Sequence, residues 1–302
     1  MKFLKSYKHS WTVCLVSLFI AGLSSCKKDG NPNHLPPVSP GDYEGKIDGY
    51  SSSDEIYPDN IIAYWSFDDT KNELKSGKAP TLTANDAFIT GGVRGKAISL
   101  TAGYLQFASQ FNAFKTDALK SFTISMWVQV LNNGSKKTQI FQLSRPGLLN
   151  GNIDIILETN LFPASNTDYV RIHPYFTTVG GGRQDNVNAF GAQNLSPKFG
   201  ATKWTHILIT YDRSTGVFNL WGDGVKIGNY PNRGTAANNL FNAWEPNEVI
   251  IGGNYNTIPG QSVSSDVSFQ AMTGSIDEIR VYDIPLGDAF IQALFKLGQA
   301  GK

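Results

Sequence analysis

The sequence contains few residues of the types that carry thiol, metal and base chemistry. Its 302 residues include only two cysteines, three methionines and four histidines. Cys14 lies within an apolar run near the N-terminus, and Cys26 follows that run. With no thiol beyond residue 26, the main body excludes disulfides, cysteine-ligated metals and cysteine nucleophiles. Its stability must come from an ordinary hydrophobic core, which a chain of this length can form.

Several enzyme and nucleic-acid motifs are also absent. The chain has no G-x-S-x-G elbow, no H-E-x-x-H helix and no phosphate-binding loop. Lys and Arg number 26 against 25 Asp and Glu, and no basic patch alternates with aromatic residues. We therefore expect no nucleic acid among the partners.

The first 26 residues have the pattern of a secretion signal. Lys2, Lys5 and Lys8 form a positive start, and the apolar run Trp11–Leu23 follows. This run is shorter than the roughly 20 residues that a spanning helix needs. Leu23-Ser24-Ser25-Cys26 resembles a bacterial lipobox, which implies a signal peptide over residues 1–25 and a lipid anchor on Cys26.

The segment after Cys26 predicts an extended tether. Residues 26–58 are rich in Pro, Gly and Ser, and they have little apolar surface to bury. Lys27-Lys28-Asp29 resembles the charged export signal of Bacteroidetes surface lipoproteins. This resemblance implies a lipid-anchored protein in the outer membrane, at the cell surface of a Gram-negative bacterium. The remaining residues, 59–302, are expected to form one domain.

Alternating apolar residues between turn signals predict an all-β sandwich of antiparallel strands. The clearest stripe is Phe122–Val130, where every second side chain is apolar. Gly222-Asp223-Gly224 predicts a hairpin turn. Residues 145–200 are expected to be a long irregular region. Helical spacing after Pro285 predicts one short C-terminal helix with Asp288 as its N-cap.

Four sequence blocks together carry a family resemblance. They are Gly95-Lys96-Ala97-Ile98, Phe122–Val128, the segment from Trp204 to Gly224, and Gly274–Tyr282. In this order they resemble laminin-G-like domains of the concanavalin A-like lectin/glucanase fold, over about residues 59–298. The resemblance implies a two-sheet antiparallel jelly roll with a short C-terminal helix. That fold carries lectins, adhesion modules and glycosidases, so it does not specify function.

One segment tests whether the chain could be a glycoside hydrolase, an activity that some members of this superfamily have. Laminarinase-type relatives carry two glutamates around an aspartate on one strand face, in a pattern like E-x-D-x-x-E. The nearest segment here runs from Asn152 through Asp154 to Glu158. Asn152 occupies the nucleophile's place, and an amide cannot attack an anomeric carbon as a carboxylate does. Glu158 lies one residue too far along. The alternative is a strand with Asp154 and Glu158 on its solvent face.

Two carboxylates are candidates for a structural calcium site. Asp68 follows the first predicted strand, and Asp277 lies in the last. The family fold places these two strands side by side, and calcium prefers carboxylate and carbonyl oxygens. Asp68 and Asp277 are therefore expected to share one ion, unless they are ordinary surface carboxylates.

Glycan binding requires aromatic faces together with planar polar side chains. Two sets of residues fit, one on a predicted strand and one in predicted loops. The strand set is Tyr169, Arg171, His173 and Tyr175, and the loop set is Tyr230, Arg233, Trp244, Asn254 and Tyr255. Trp244 is the leading candidate because its loop is polar and flanked by proline, although it could instead pack as a lid. Trp127 and Trp221 are expected to pack within the sheets.

These observations favour a non-catalytic, lectin-like surface lipoprotein that binds a glycan or another cell-surface ligand. A protein-binding adhesion or accessory module of an outer-membrane complex is the first alternative, and a glycoside hydrolase is the second. The sequence specifies neither the sugar nor the oligomeric state.

Overall fold

The computed structural model describes residues 43–168, 170–177, 183–185, 199–230 and 245–302. Residues Gly45–Lys302 form a compact unit. No helix among the described residues is long and apolar enough to cross a membrane. Cys26 and the rest of the proposed signal lie outside the described residues.

The described part of this unit contains fourteen strands and one α-helix. The strands are β1 Ile61–Trp65, β2 Leu82–Thr90, β3 Lys96–Phe107, β4 Phe122–Val130, β5 Lys137–Ser144, β6 Ile153–Leu157, β7 Ile172–Thr177, β8 Arg183–Asp185, β9 Thr205–Asp212, β10 Val217–Gly222, β11 Val225–Tyr230, β12 Glu248–Ile251, β13 Phe269–Gln270 and β14 Met272–Tyr282. The helix α1 is Asp288–Gln299. This confirms the predicted fold class, an all-β sandwich with a short C-terminal helix.

The strands form two layers joined through β14. One layer has the order β11-β10-β9-β4-β14, with β1 also paired to β14. The other has the order β3-β12-β5-β6-β7-β8, with β2 on β3 and β13 on β5. Strand β14 pairs with both β4 and β3, so the sheet curls back on itself.

Alternating side chains from both layers fill one core. Ile124 and Ile209 come from the first layer, while Phe141 and Ile155 come from the second, and each is at most 1% exposed. The stripe predicted in Phe122–Val130 is therefore confirmed as an inward face. Burial of these apolar side chains is the main force that holds the layers together.

The predicted hairpin and helix are both present. Asp223 and Gly224 have positive φ angles of 49° and 74°, which is the geometry of the two-residue turns that join antiparallel strands. Helix α1 begins at Asp288, but Gly287 is its N-cap, so the predicted cap is displaced by one residue. The helix covers the outer face of the first layer, where Trp127 stacks on His206 and Phe295.

Two boundaries differ from the sequence expectation. Residues 145–200, expected to be irregular, contribute strands β6, β7 and β8. Within the expected tether, Ile56 is fully buried and Asp54 forms an ion pair with Arg280. The folded body therefore includes residues from Gly45 onward.

Candidate glycan-binding face and rim cavity

The second layer carries a row of polar side chains on its outer face. Because alternate residues of a strand point to opposite faces, the residues between the core positions of β5, β6, β7 and β12 lie together there. The row comprises Gln139, Gln142, Ser144, Asp154, His173, Tyr175 and Glu248. All of them are at most 9% exposed.

A chain of hydrogen bonds joins the centre of this row. Gln139 donates from Nε2 to Asp154 Oδ1 over 2.6 Å, and Asn254 donates from Nδ2 to Gln139 Oε1 over 3.0 Å. Asp154 Oδ2 and Gln142 Oε1 are buried and have no hydrogen-bond partner. Burial raises the pKa of Asp154 to about 7, because the charged form loses its hydration.

An ionic cluster lies at one end of the row. Glu158 Oε1 lies 2.9 Å from His173 Nδ1, and Glu158 Oε2 accepts from Arg171 Nη1 over 3.3 Å. Burial raises the pKa of Glu158, but His173 and Arg171 outweigh it and hold the pKa below its usual value. Arg171, His173 and Tyr175 share one strand face, as predicted, while Ile172 points into the core.

The aromatic residues of this face are not open to solvent. Tyr175 is 4% exposed and Tyr255 is 3% exposed, so neither of these predicted ligand-binding rings offers an open face to a sugar. Tyr255 begins a short 3₁₀ helix, Tyr255–Thr257, and packs with Tyr104 and Ile258 in a separate small cluster. Asn254 is fully buried and supports Gln139.

The side chains of the other four predicted ligand-binding residues are not described by the structure. Tyr169, Arg233 and Trp244 lie outside the described residues. Tyr230 ends strand β11, but its side chain is not among those described.

A cavity at the rim of the sandwich continues the polar row. It has a volume of about 390 Å³ and lies where β3 and β5 end and β12 begins. Its lining is Ala108, Ser109, Gln110, Arg145, Pro146, Asn247 and Glu248. Glu248 belongs to both the row and the cavity. Sequence reasoning missed this site, because its residues come from three segments that are far apart in the sequence and none belongs to a motif.

Arg145 is the notable side chain of this rim cavity. It is half-buried, and its guanidinium makes no ion pair or hydrogen bond with any residue that the structure describes. Glu248, which also lines the cavity, accepts a hydrogen bond at Oε2 from Gln106 Nε2 over 2.7 Å. The cavity thus combines a free donor fork with a fixed acceptor, next to the exposed amide of Asn247.

The proposed hydrolytic carboxylates do not form a pair. Asp154 lies in β6 and Glu158 follows its end, so four residues of extended chain separate them, roughly 13 Å between Cα atoms. Hydrolysis needs two carboxyl groups about 5–5.5 Å apart for retention or about 6.5–9.5 Å apart for inversion. Glu158 is also engaged by His173 and Arg171. Both carboxylates are buried, so the alternative of a strand with these two residues on its solvent face is not met.

The two candidate calcium ligands converge on one turn. Asp277 Oδ2 accepts from the backbone N–H of Val93 over 2.7 Å, and Asp68 Oδ1 accepts from that of Lys96 over 3.0 Å. Burial and the adjacent Glu278 raise the pKa of Asp277 to about 8. These are hard oxygen donors of the type that calcium takes. No group of three Asp, Glu, His or Cys residues suited to a metal occurs among the described residues.

Comparison with solved structures shows the same fold in several binding domains. The binding domain of Paraclostridial Mosquitocidal Protein 1 is 17% identical, with a TM-score of 0.52 over 78% of this chain and 52% of that one. The binding domain of Botulinum neurotoxin DC in complex with rat synaptotagmin II is 13% identical, with a TM-score of 0.52 over 80% and 52%. This chain thus spans about half the length of each.

A further similar structure is domain 4 of AbnA, a GH43 extracellular arabinanase from Geobacillus stearothermophilus, in complex with arabinotriose. It is 17% identical, with a TM-score of 0.49 over 78% of this chain and 98% of that one. No curated protein sequence matches the chain. The laminin G model of the concanavalin A-like lectin/glucanase superfamily matches residues 101–292, which is more than half of the sequence. The chain therefore belongs to the laminin G-like family of the concanavalin A-like lectin/glucanase superfamily.

Proposed function

We propose that this protein is a non-catalytic, lectin-like lipoprotein that binds glycans at the surface of the outer membrane, in polysaccharide capture or adhesion. The observation that carries the proposal is the rim cavity, whose lining includes both Arg145, a cation without a partner among the described residues, and Glu248, a carboxylate held by Gln106. Sugar hydroxyls are both donors and acceptors, so a site that offers both in planar groups suits them. Its volume of about 390 Å³ is in the range of ligand sites.

Trp244, which lies outside the described residues, stays the proposed stacking residue on the basis of the sequence. It immediately precedes Glu245, which accepts a hydrogen bond from the cavity residue Gln110 over 3.0 Å. An aromatic ring beside polar groups is the usual arrangement for holding the apolar face of a pyranose. Trp244→Ala should weaken binding by about 1–3 kcal/mol if the ring stacks on the sugar.

Binding rather than cleavage is favoured by the state of the acidic residues. Asp154 is fully buried within the polar row, and Glu158 is held by His173 and Arg171. A hydrolase would release reducing sugar from the bound polysaccharide, whereas the proposed lectin leaves it intact.

Protein binding is the second candidate, and one observation favours it. Among the described strands, β2 pairs only with β3, and it exposes Leu82 and Phe88. Apolar side chains on an unprotected edge strand are common at contacts between proteins. A similar fold serves as the binding domain of a neurotoxin whose structure includes rat synaptotagmin II.

A glycan array followed by calorimetry on the full chain in detergent tests the proposal. We expect saturable binding to at least one polysaccharide with no release of reducing sugar. Silence across plant, host and microbial glycans would refute it, and release of reducing sugar would favour the hydrolase instead.

The lipid anchor requires a separate test. Metabolic labelling with a fatty acid should mark the protein in cells, and Cys26→Ser should abolish the label, whereas Cys14→Ser should not. Surface exposure should follow from protease treatment of intact cells. An unlabelled wild-type chain would refute the anchor.

A further inference from the structure

The guanidinium of Arg145 is a charged group of the rim cavity that the described part of the protein leaves without a partner. It is half-buried, and although Glu248 lines the same cavity, no ion pair joins the two side chains. Arginine stays charged across the physiological pH range and presents five N–H donors in one plane. The wall of the cavity therefore offers a charged fork of donors to whatever enters.

The acidic groups near the cavity are already hydrogen-bonded within the protein. Glu248 is 9% exposed and accepts from Gln106 Nε2 over 2.7 Å. Glu245 is not a lining residue, and its two carboxylate oxygens accept from Gln110 and Thr116. Among the described residues, neither glutamate supplies the counter-charge that Arg145 lacks.

A second cation lies next to the lining. Lys78 Nζ donates to Oγ of the lining residue Ser109 over 3.1 Å, and it forms no ion pair with any residue that the structure describes. The charges of Lys78 and Glu248 offset each other, which leaves the charge of Arg145 in excess. A bound anion would therefore be attracted to this end of the sandwich.

A carboxylate is the sugar substituent that matches this arrangement. Its two oxygens accept two parallel N–H bonds from a guanidinium, and such charge-assisted bonds are about twice as strong as bonds between neutral groups. Partial burial of Arg145 strengthens the attraction relative to bulk water. An acidic sugar also carries hydroxyls, which donate to Glu248, so it uses both planar groups of the cavity, whereas a neutral sugar leaves the charge of Arg145 uncompensated.

We infer that the rim cavity recognises a glycan through the carboxylate of an acidic sugar, a uronate or a sialate, which the guanidinium of Arg145 binds with support from Lys78. This inference rests on the proposed glycan-binding function. It deepens that function because it names the class of sugar and the residue that selects it.

Calorimetry of the full chain in detergent tests the inference with matched probes. The uronate probes are polygalacturonate, alginate and hyaluronan, and the sialate probe is polysialic acid. Each is compared with its carboxyl-reduced form, in which every acidic unit has become neutral, and xylan, laminarin and dextran sulfate complete the set. We expect at least one acidic probe to bind about tenfold or more tightly than its reduced form, and the probe that does so distinguishes a uronate from a sialate.

Variants of the two cations identify the contact. Arg145→Gln should weaken binding of the acidic probe about tenfold or more, and carboxyl reduction should then have little further effect, because both changes remove the same interaction. Arg145→Lys keeps the charge without the fork and should have an intermediate effect. Lys78→Gln should weaken binding only a few-fold, since this cation is at the surface. Lys296→Gln removes a positive charge on helix α1, on the other layer, and should leave binding unchanged.

The outcomes separate the inference from the proposed function. A neutral polysaccharide that binds as tightly as every acidic probe would overturn the inference and leave the function standing. The same conclusion would follow if binding of the acidic probe survived Arg145→Gln. Equally tight binding of dextran sulfate would show that charge density rather than a carboxylate is recognised, and would also overturn it. No binding of any polysaccharide would overturn both.

Discussion

Asp154 and Gln142 lie opposite each other on strands β6 and β5, and each keeps one buried oxygen without a hydrogen-bond partner. An unpartnered oxygen leaves part of its hydrogen-bonding capacity unused, which costs free energy in a buried site. Burial raises the pKa of Asp154 to about 7, because the charged form loses its hydration.

The first prediction concerns stability and pH. An aspartate has a pKa of about 3.9 when unfolded, so its higher value in the folded state makes the free energy of unfolding fall as pH rises from about 4 through about 7. Asp154→Asn replaces the unpartnered oxygen by a donor that does not titrate. We expect the variant to gain about 2–4 kcal/mol over wild type at pH 8 and little at pH 4.

Urea unfolding at pH 4, 6 and 8 measures this difference. The exposed Asp117→Asn serves as control for the loss of one carboxyl group at the surface. An Asp154→Asn difference that stays the same at all three pH values would contradict the prediction.

A second prediction concerns the contact of helix α1 with the sheet. A Cβ added at Gly298 would lie 2.3 Å from Cζ2 of Trp127, whose ring also stacks on His206. Alanine favours a helix by about 1 kcal/mol over glycine, but the overlap should cost about 1–3 kcal/mol. Gly298→Ala is therefore expected to lower the melting temperature, while Gln299→Ala in the same helix should not. A higher melting temperature for Gly298→Ala would show that the contact is loose.

The third prediction compares a buried ion pair with an exposed one. Arg280 Nη2 lies 2.5 Å from Glu278 Oε2, and both side chains are at most 4% exposed. Arg280→Met leaves Glu278 with a weakened set of partners and should cost about 3–5 kcal/mol. Lys96→Met breaks the exposed pair with Asp69 and should cost at most about 1 kcal/mol. Chemical denaturation of both variants tests the contrast, and equal costs would contradict it.

The fourth prediction concerns calcium. If Asp68 and Asp277 share an ion, the cation would favour the ionised form of Asp277 and stabilise the turn that both carboxylates contact. We expect calcium to raise the melting temperature relative to EDTA, and Asp277→Asn to remove the increase. If the wild-type protein melts at the same temperature in calcium and in EDTA, the backbone N–H donors alone hold the turn.

The periodic pattern of apolar residues was sufficient to predict much of the fold. Alternation in Phe122–Val130 predicted an inward strand face, and helical spacing predicted α1. These predictions succeeded because a half-buried strand and an amphipathic helix each repeat with a fixed period. Residues 145–200 were expected to be irregular as a whole, although a strand was predicted around Arg171–Tyr175 and considered for Asp154–Glu158. The structure has strands at both places, and β8 was not predicted.

Much less of the candidate site could be predicted from the sequence. Arg171, His173 and Tyr175 were correctly placed on one face by their alternation, but their burial was not predicted. Tyr255 was expected in an open loop. It instead begins a short 3₁₀ helix, and its side chain is buried in a small apolar cluster. Burial depends on what covers a strand, and nothing in a local pattern specifies that.

The amino-acid sequence by itself determined the sandwich, its hairpin and its closing helix, because each depends on periodicity and turn chemistry within a short stretch of chain. Only the tertiary structure decided which polar groups meet. Arg145 and Glu248 are about a hundred residues apart, and they line one cavity because β12 pairs with both β3 and β5. That pairing minimises exposed apolar surface over the whole sheet, a global condition that no short segment records.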